Sequence, residues 1–362
     1  MAKALPTYDE LVGYNHAVAG HDGILSDVSG ELFIKPCTPT EIAFYETSSA
    51  LYPEFMKLMP TYLGTLALDE RTRRRTIEKS ACPTILAQNS DQHEDNDVAV
   101  PLAKDEPSKV TTPQSRLQES TITGESNSRI FGNRITTDKA LVLENASYNF
   151  KKPNILDVKL GVRLWADDAA EDKRIRFDRI TAESTHKDLG FRIAGMRVWQ
   201  GLGAKGENID EEGYKIYDKN YGRVSVNREN VNEAFTSYIL SEGAGIDEEL
   251  GRQIAQAFLK DLTWIQTQLE SHENRMFSAS LLFVYEGDGK ALRNALENSS
   301  KATQPIASRK EKKKSSSAKI YSVKLIDFAH AEWTPGQGPD ENTLLGVRSV
   351  LKIFQDISSA KQ

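Results

Sequence analysis

The sequence predicts an α+β fold, because it contains two kinds of segment. Short runs with the composition of strands lie at 30–36, 140–144, 153–161, 191–200, 278–285 and 320–328. Longer segments with the character of helices lie at 41–51, 167–185, 227–243, 247–271 and 342–357. The 362 residues exceed one typical domain, which indicates two domains or one domain enlarged by insertions.

Local signals support the first strand and the first and longest helices. Gly30 opens a turn before the first strand, and Pro36 ends that strand. Thr40 is predicted to cap the helix at 41–51. Asp247 is predicted to cap the helix at 247–271. The apolar residues of that helix recur at helical spacing: Leu250, Ile254, Phe258, Leu262 and Ile265.

Two polar segments interrupt the ordered elements. Residues 82–133 contain scattered prolines and few aromatic residues, so they cannot bury enough apolar area to offset the entropy of ordering. We therefore predict a disordered insert there. A second polar, basic insert is predicted at 290–318. It contains 309–314, with five basic residues and one acid, which fits either a solvated loop or a nuclear localisation signal.

Charge and cysteine content narrow the classes of function. The chain has 52 acidic and 46 basic residues, and its net charge of -6 disfavours a direct nucleic-acid partner. Cys37 and Cys82 are too few for a disulfide framework or a cysteine-rich zinc site. We find no secretory signal and no apolar run of membrane length. Together with the basic run, this predicts a soluble protein of the nucleus and cytoplasm.

Several familiar motifs are absent or misleading. Gly201, Gly203 and Gly206 match G-x-G-x-x-G, but a polar stretch follows them where a dinucleotide-binding helix would begin, so a hairpin-like turn is predicted. No G-x-x-x-x-G-K-[ST], H-E-x-x-H or G-x-S-x-G pattern occurs. The sequence therefore gives no support for a P-loop nucleotide hydrolase, a zinc hydrolase or a serine hydrolase.

An acid and a base stand two residues apart on the strand at 153–161. Because strand side chains alternate with a period of two, Asp157 and Lys159 are predicted to share one face. One interpretation is a structural ion pair. The other is a ligand face for phosphoryl transfer, with Lys159 on the transferring phosphate and Asp157 on a hydroxyl.

A second set of charged residues fits the same chemistry. Lys35 lies on an early strand and Glu41 in the following helix, while Asp327 ends a later strand. Protein kinases combine a strand lysine on the phosphates, a helical glutamate and a metal-binding aspartate followed by phenylalanine. Each item alone also fits a surface ion pair or a turn-forming aspartate.

Three motifs in order identify a resemblance. Residues 153–161 read PNILDVKLG, residues 280–282 read SLL, and residues 326–330 read IDFAH. These resemble the P-x-x-x-D-x-K-x-G, S-S-L-L and I-D-F-A-H motifs of the inositol polyphosphate kinase family, with Ala279 in place of the first serine. The resemblance covers nearly the whole chain except the two polar inserts.

The resemblance implies the bilobal, protein-kinase-like ATP-grasp variant of the α+β class. An N-terminal lobe would span 1–145 and a C-terminal lobe 146–362, with a short helical segment for the inositol phosphate at 162–190. It also implies ATP and Mg²⁺ as cofactors. Lys35 would bind the ATP phosphates with the support of Glu41. Glu144 and Ala146 would meet the adenine where the lobes join.

The same resemblance assigns the transfer chemistry. Asp157 would contact either the ribose or the inositol hydroxyl, two alternatives that the sequence leaves open. Lys159 would bridge the γ-phosphate and the accepting oxygen, where it would stabilise developing charge. Asp327 would hold Mg²⁺, and Ser280 would support the nucleotide and the metal.

Substrate contacts are expected after Gly161. Residues 173–179 contain four basic residues and one acid, and helical spacing places Lys173, Arg176 and Arg179 on one stripe. Such a stripe suits several phosphates on a small ring, although a solvated helix face is the alternative. His330 of the third motif would approach the inositol phosphate.

The short substrate segment resembles the branch of the family that phosphorylates several hydroxyls in turn. The expected activity is sequential phosphorylation of inositol 1,4,5-trisphosphate to tetrakis- and pentakisphosphate. The alternatives are a hexakisphosphate kinase that makes pyrophosphates, and a nuclear transcriptional co-regulator or scaffold with secondary kinase activity. Partners would be inositol phosphates, with phosphoinositide lipid and nuclear proteins as further candidates.

Overall fold

The computed structural model describes residues 10–14, 16–19, 23–68, 77–78, 137–302 and 319–360. These residues form an α+β fold with two large antiparallel sheets and helices around them. The fold class is therefore as predicted. The insert predicted at 82–133 and the basic run at 309–314 lie outside the described residues.

The first sheet is built mostly from the N-terminal part of the chain. Its strands lie in the order β1-β2-β3-β6-β4-β5. They are β1 (Leu11–Gly13), β2 (Leu25–Asp27), β3 (Leu32–Pro36), β4 (Tyr62–Ala67), β5 (Ile77–Glu78) and β6 (Lys139–Glu144). Side chains of β6 alternate between two apolar clusters: Val142 packs with Ile34 on one face, and Leu141 joins the main core on the other.

Helices α1 (Pro39–Leu51) and α2 (Pro53–Met56) follow β3. The cap of α1 differs from the prediction, because Thr38 rather than Thr40 accepts the backbone N–H of Glu41, at 3.2 Å. Pro39 occupies the first turn of α1, where its missing N–H costs no helical hydrogen bond. The helix therefore begins two residues earlier than predicted, and Glu41 lies in its first turn.

The second sheet lies in the order β12-β11-β7-β8-β9. Its strands are β7 (Pro153–Leu160), β8 (Phe191–Trp199), β9 (Tyr214–Tyr217), β11 (Ser280–Glu286) and β12 (Tyr321–Ile326). A two-stranded sheet pairs β10 (Asn274–Met276) with β13 (Ala331–Trp333). Every residue of β8 is buried, as expected for a strand covered on both faces.

The remaining helices pack around the second sheet or lead into it. They are α3 (Glu171–Ala182), α4 (His186–Leu189), α5 (Val231–Ile239), α6 (Glu248–Ser271), α7 (Gly289–Ala302) and α8 (Glu341–Ser359). Asp247 caps α6 as predicted, accepting the N–H of Leu250 at 3.0 Å. Helices α6 and α8 contribute apolar residues to one continuous core. Within the described residues, no helix has the length and apolar character to cross a membrane.

Two loop predictions have different outcomes. The glycines at 201–206 lie in the turn between β8 and β9, closed by a hydrogen bond from the N–H of Gln200 to the carbonyl of Gly213. The hairpin-like turn is confirmed. Helix α7 occupies the first part of the polar insert predicted at 290–318, a helix that the sequence did not predict. Leu292 and Ala295 are buried at helical spacing, a narrow apolar stripe that the polar composition concealed.

Candidate active site

One row of residues crosses the second sheet at the level of the sequence motifs. On β7, Lys159 lies directly opposite Ser280 of β11 on one side and Arg192 of β8 on the other. Ser280 in turn lies opposite Ile326, the last residue of β12, so Asp327 follows immediately. The three motifs therefore meet in three dimensions because their strands are neighbours with matched register.

Asp157 and Lys159 face the same cavity, so the predicted alternation is confirmed. A bulge interrupts the pairing at Asp157 and Val158, but the extra residue is Ala194 on β8, so β7 keeps its period of two. Asp157 is 5% exposed, and its Oδ1 has no hydrogen-bond partner. Burial, together with the charge of Asp327, raises the pKa of Asp157 to about 6, although Lys159 opposes the shift.

The side chain of Lys159 is positioned by the segment that precedes β11. Its Nζ donates a hydrogen bond to the carbonyl of Ser278 at 2.8 Å. Burial lowers the pKa of Lys159, while the nearby carboxylates of Asp327 and Asp157 oppose the shift. The ammonium therefore lies in a partly dehydrated site, where its attraction for an anion is stronger than at the surface.

Lys35, Glu41 and Asp327 form one ion-pair cluster. Lys35 Nζ lies 2.9 Å from Glu41 Oε1 and 2.5 Å from Asp327 Oδ1. Burial alone would lower the pKa of Lys35, but the two carboxylates together raise it well above its usual range. Glu41 Oε1 also accepts the N–H of Phe328 at 3.1 Å, so one buried carboxylate fixes both the lysine and the segment that carries Asp327.

The backbone at Asp327 adopts a conformation that is rare for residues with a side chain. Its φ is +66°, in the left-handed region. Such a backbone costs about 1–3 kcal/mol and persists only where the surroundings impose it, often at functional sites. Here the hydrogen bond from the next residue to Glu41 imposes it. The carboxylate of Asp327 is thereby turned toward Lys35 at the end of β12.

A small apolar cavity of about 90 Å³ opens from this cluster between the sheets. Its walls include Phe33, Leu143, Ile155 and Val284. Glu144 and Ala146, predicted to meet the adenine, line the same cavity at the end of β6. An apolar slot beside a few polar backbone and side-chain groups suits a planar heterocyclic ring.

A larger cavity of about 1000 Å³ adjoins the small one. Lys35, Glu41, Asp157 and Asp327 line both cavities. The larger cavity also contains the cations predicted on α3, namely Lys173, Arg176 and Arg179. Among the predicted site residues, Ser280 alone lines neither cavity; it is fully buried beneath Lys159 and Asp157.

The Lys173 side chain meets His330 inside the larger cavity. Lys173 Nζ lies 3.2 Å from His330 Nε2, although 157 positions separate the two residues. Burial lowers the pKa of His330, and the positive charge of Lys173 lowers it further. The ring is therefore neutral near pH 7, with Nε2 accepting from the ammonium. The predicted substrate residues thus converge from α3 and from the segment after β12.

Three cations of this cavity were missed by sequence reasoning. Arg192 belongs to the buried strand β8, while Lys219 and Arg223 belong to the turn after β9. One signal was available for Arg192, because a charged residue in an otherwise apolar buried strand has a specific reason to be there. Lys219 and Arg223 lie in a polar loop of the sequence, where nothing distinguishes them from solvated residues.

The carboxylates at the junction of the cavities can hold a divalent cation together with phosphate oxygens. Within the described residues no group of three or more His, Cys, Asp or Glu side chains is arranged to hold a metal alone. Asp157 and Asp327 are close enough that the charge of one raises the pKa of the other, and Asp157 Oδ1 is buried without a partner. Mg²⁺ characteristically takes one or two protein carboxylates and completes its shell with phosphates and water.

Comparison with known proteins agrees with this architecture. A family model for inositol polyphosphate kinases matches residues 140–355. The chain therefore belongs to the inositol polyphosphate kinase family, and it is a kinase. The resemblance of the three motifs is thereby confirmed.

Individual relatives refine the comparison. The chain is 32% identical to the inositol polyphosphate multikinase of Saccharomyces cerevisiae, over 94% of this chain and 96% of that protein. It is similar in structure to the S. cerevisiae inositol phosphate multikinase Ipk2 in complex with ADP and Mn²⁺, with a TM-score of 0.58 and 30% identity, covering 90% of this chain and 99% of that one. Inositol hexakisphosphate kinase 3 of Mus musculus is 31% identical over 61% of this chain and 51% of that protein. The multikinase interpretation is therefore better supported than the hexakisphosphate one.

Proposed function

We propose that the protein is an ATP-dependent inositol polyphosphate multikinase that converts inositol 1,4,5-trisphosphate to tetrakis- and then pentakisphosphate. The observation that carries the proposal is the junction of the two cavities. Four charged residues line both an apolar slot suited to a nucleotide and a wide cation-rich cavity suited to a phosphorylated ring. The junction is where a γ-phosphate and an accepting hydroxyl would meet.

ATP would lie with its adenine in the small cavity beside Glu144 and Ala146. Lys35 would contact the phosphates, and the buried Glu41 would orient it. Asp327, with Asp157 nearby, would hold Mg²⁺, which would neutralise charge on the phosphates. The ADP and Mn²⁺ bound to the S. cerevisiae relative support a nucleotide and a divalent cation in this role. Ser280 would support the site from below.

The transfer forms a bond between the inositol oxygen and the γ-phosphorus, while the bond from that phosphorus to the bridging oxygen of ADP breaks. Asp157 would contact the inositol hydroxyl, and a pKa of about 6 suits a carboxylate that takes up its proton near neutral pH. Lys159 would stabilise the negative charge on the transferring phosphoryl group, in a site where burial strengthens the attraction. Lys173, Arg176, Arg179 and His330 would hold the existing phosphates.

Product analysis tests the proposal. The pure protein is incubated with ATP and Mg²⁺ and either inositol 1,4,5-trisphosphate or inositol hexakisphosphate, and inositol phosphates are separated over time. We expect tetrakisphosphate to rise and then fall as pentakisphosphate appears. Turnover of hexakisphosphate alone would instead establish the second candidate function, a pyrophosphate-forming kinase, which the similarity to the Mus musculus hexakisphosphate kinase supports.

The lobe boundaries at 1–145 and 146–362, and the substrate segment at 162–190, remain proposals. Each sheet is drawn mainly from one of these two ranges, which supports the division. Limited proteolysis followed by mass spectrometry would test it. If cleavage occurs only at sites far from residue 146, and the two fragments stay associated, the boundary between the lobes lies elsewhere.

Location and further partners rest on the sequence alone. We propose a nuclear and cytoplasmic distribution and nuclear protein partners from the basic run at 309–314. A fluorescent fusion in which this run is replaced by serines should lose nuclear signal relative to the unchanged fusion.

A phosphoinositide headgroup presents the same phosphates as the soluble substrate, so vesicles containing phosphatidylinositol 4,5-bisphosphate would test the lipid as an alternative acceptor.

A further inference from the structure

Arg192 is a buried cation that pairs with no carboxylate in the part of the chain that the structure describes. It is 5% exposed, and among the described residues its guanidinium donates to the carbonyls of Ile193 and Lys219, both at 3.3 Å. Its Nε is buried with no hydrogen-bond partner, and it forms no ion pair with any carboxylate that the structure describes. Burying a charge without an ion pair is unfavourable, and the nearby Asp157 carboxylate offsets this cost only in part, because the pKa of Arg192 is still lowered. An anion in the adjoining cavity would therefore stabilise the guanidinium further.

A second arginine is brought to the same place by an unusual turn. Residues Tyr221–Ser225 form one π-helical turn, a feature that is frequent at functional sites. Gly222 packs so closely that an added Cβ would lie 1.9 Å from the carbonyl oxygen of Ile193. This contact fixes the turn against β8 one residue beyond Arg192, and Arg223 then lines the cavity.

The two guanidinium groups lie close enough to affect each other. Burial, together with the charge of Arg223, lowers the pKa of Arg192 to about 10. Asp157, which lines the same cavity, opposes this shift but forms no ion pair with either arginine. Two guanidinium groups that face one cavity form an arrangement that a phosphate dianion would stabilise, because guanidinium groups pair with phosphate oxygens through parallel hydrogen bonds.

The second sheet fixes the position of the arginine pair relative to Lys159, where the phosphoryl group would be transferred. Arg192 lies directly opposite Lys159 on the neighbouring strand, a separation of about 4.8 Å between the strands. The α3 cations reach the same cavity from a separate element. The cavity therefore has two cationic walls, and Lys159 lies next to the one formed by β8 and the π-helical turn.

We propose that Arg192 and Arg223 form a phosphate subsite that receives the phosphate added in the first round of transfer while the second round takes place. The proposal rests on the sequential activity proposed above. The first product carries a new dianion at Lys159, and a second hydroxyl can reach the γ-phosphate only after that dianion has moved away. Arg192 is the adjacent cation, so a displacement of about one strand spacing moves the phosphate from Lys159 to this pair.

The test compares the two rounds in one variant. Arg223 is exposed, so Arg223→Ala keeps the fold, whereas the buried Arg192 is a poor choice for the first test. The measured quantities are kcat/KM for inositol trisphosphate and, separately, for the purified tetrakisphosphate product. We expect kcat/KM for tetrakisphosphate to fall roughly tenfold to hundredfold more than kcat/KM for trisphosphate, as the loss of a charge-assisted hydrogen bond predicts. Tetrakisphosphate should then accumulate in the time course.

Arg228→Ala is the matched control, because Arg228 is an exposed arginine just after the same turn and does not line the cavity. It should retain both wild-type values. Equal losses of Arg223→Ala on the two substrates, or none, would overturn the subsite. If the wild-type protein does not turn over trisphosphate, the proposed function is wrong. The subsite proposal, which rests on that function, is then wrong as well.

Discussion

The ammonium of Lys35 lies 2.5 Å from Oδ1 of Asp327, across 292 positions of the chain. Lys35 belongs to β3 of the first sheet, and Asp327 follows β12 of the second. Glu41 on α1 completes the cluster at 2.9 Å and is 1% exposed. This contact therefore ties both sheets and a helix to the point where the two cavities meet, and its loss should affect folding as well as catalysis.

Replacing Lys35 tests that dual role. In Lys35→Met the buried Glu41 loses its cation, so we expect the free energy of unfolding to fall by about 3 kcal/mol, the usual cost of leaving a buried charge unpaired. The Kd for ADP should rise at least tenfold, measured by calorimetry. Lys57→Ala is the control, because Lys57 forms an exposed pair with Glu54 whose removal should change stability by less than about 1 kcal/mol. Equal unfolding midpoints for the two variants would contradict the role of the cluster.

Asp157→Asn should separate stability from activity. The raised pKa means that folding disfavours the Asp157 carboxylate, so above about pH 6 its charge destabilises the native state. A shift from 3.8 to about 6 corresponds to about 3 kcal/mol. Asparagine removes that charge at similar volume. We expect a higher Tm at pH 7.5 together with a loss of transfer activity of at least a hundredfold, because the amide cannot take up a proton.

The pH dependence of this stability difference follows from the sign of the shift. Between the unfolded pKa of 3.8 and the folded pKa of about 6, the native state binds the proton more tightly, so wild-type stability falls as pH rises through this window. The advantage of Asp157→Asn should therefore be near zero below pH 4 and full above pH 6. Chemical denaturation across that range measures it. An advantage that is constant with pH would contradict the assignment.

The residues expected to carry out phosphoryl transfer were easier to predict from the sequence than the helices and turns around them. Asp157 and Lys159 share a face because one strand fixes their spacing, and a bulge on the neighbouring strand leaves that spacing unchanged. Thr38 rather than Thr40 caps α1, because the position of the cap depends on the residue at which the preceding strand ends. Helix α7 was missed because its apolar stripe is narrow. The second cationic wall depends on cross-strand register and on a turn packed by Gly222, neither of which a local pattern contains.

Gly222 should be among the least replaceable glycines of the chain. A Cβ there would lie 1.9 Å from the carbonyl oxygen of Ile193, which is backbone and cannot rotate away. We expect Gly222→Ala to lower the free energy of unfolding by about 1–3 kcal/mol, as overpacking does. Gly206→Ala is the control, because its Cβ would meet the flexible Ile209 side chain at 3.3 Å. Denaturant titration of both variants makes the comparison, and similar midpoints would show that the turn does not need a glycine.

Replacing Lys173 should weaken binding of the inositol substrate without affecting the nucleotide. Lys173 meets His330 at 3.2 Å in the large cavity and does not line the small one. For Lys173→Ala we expect KM for inositol trisphosphate to rise roughly tenfold, the effect of one lost charge-assisted hydrogen bond, while KM for ATP stays within about twofold. Lys187→Ala removes an exposed lysine that lines neither cavity and should match wild type. A rise in KM for ATP alone would place Lys173 on the nucleotide side and overturn the assignment of the large cavity to the inositol ring.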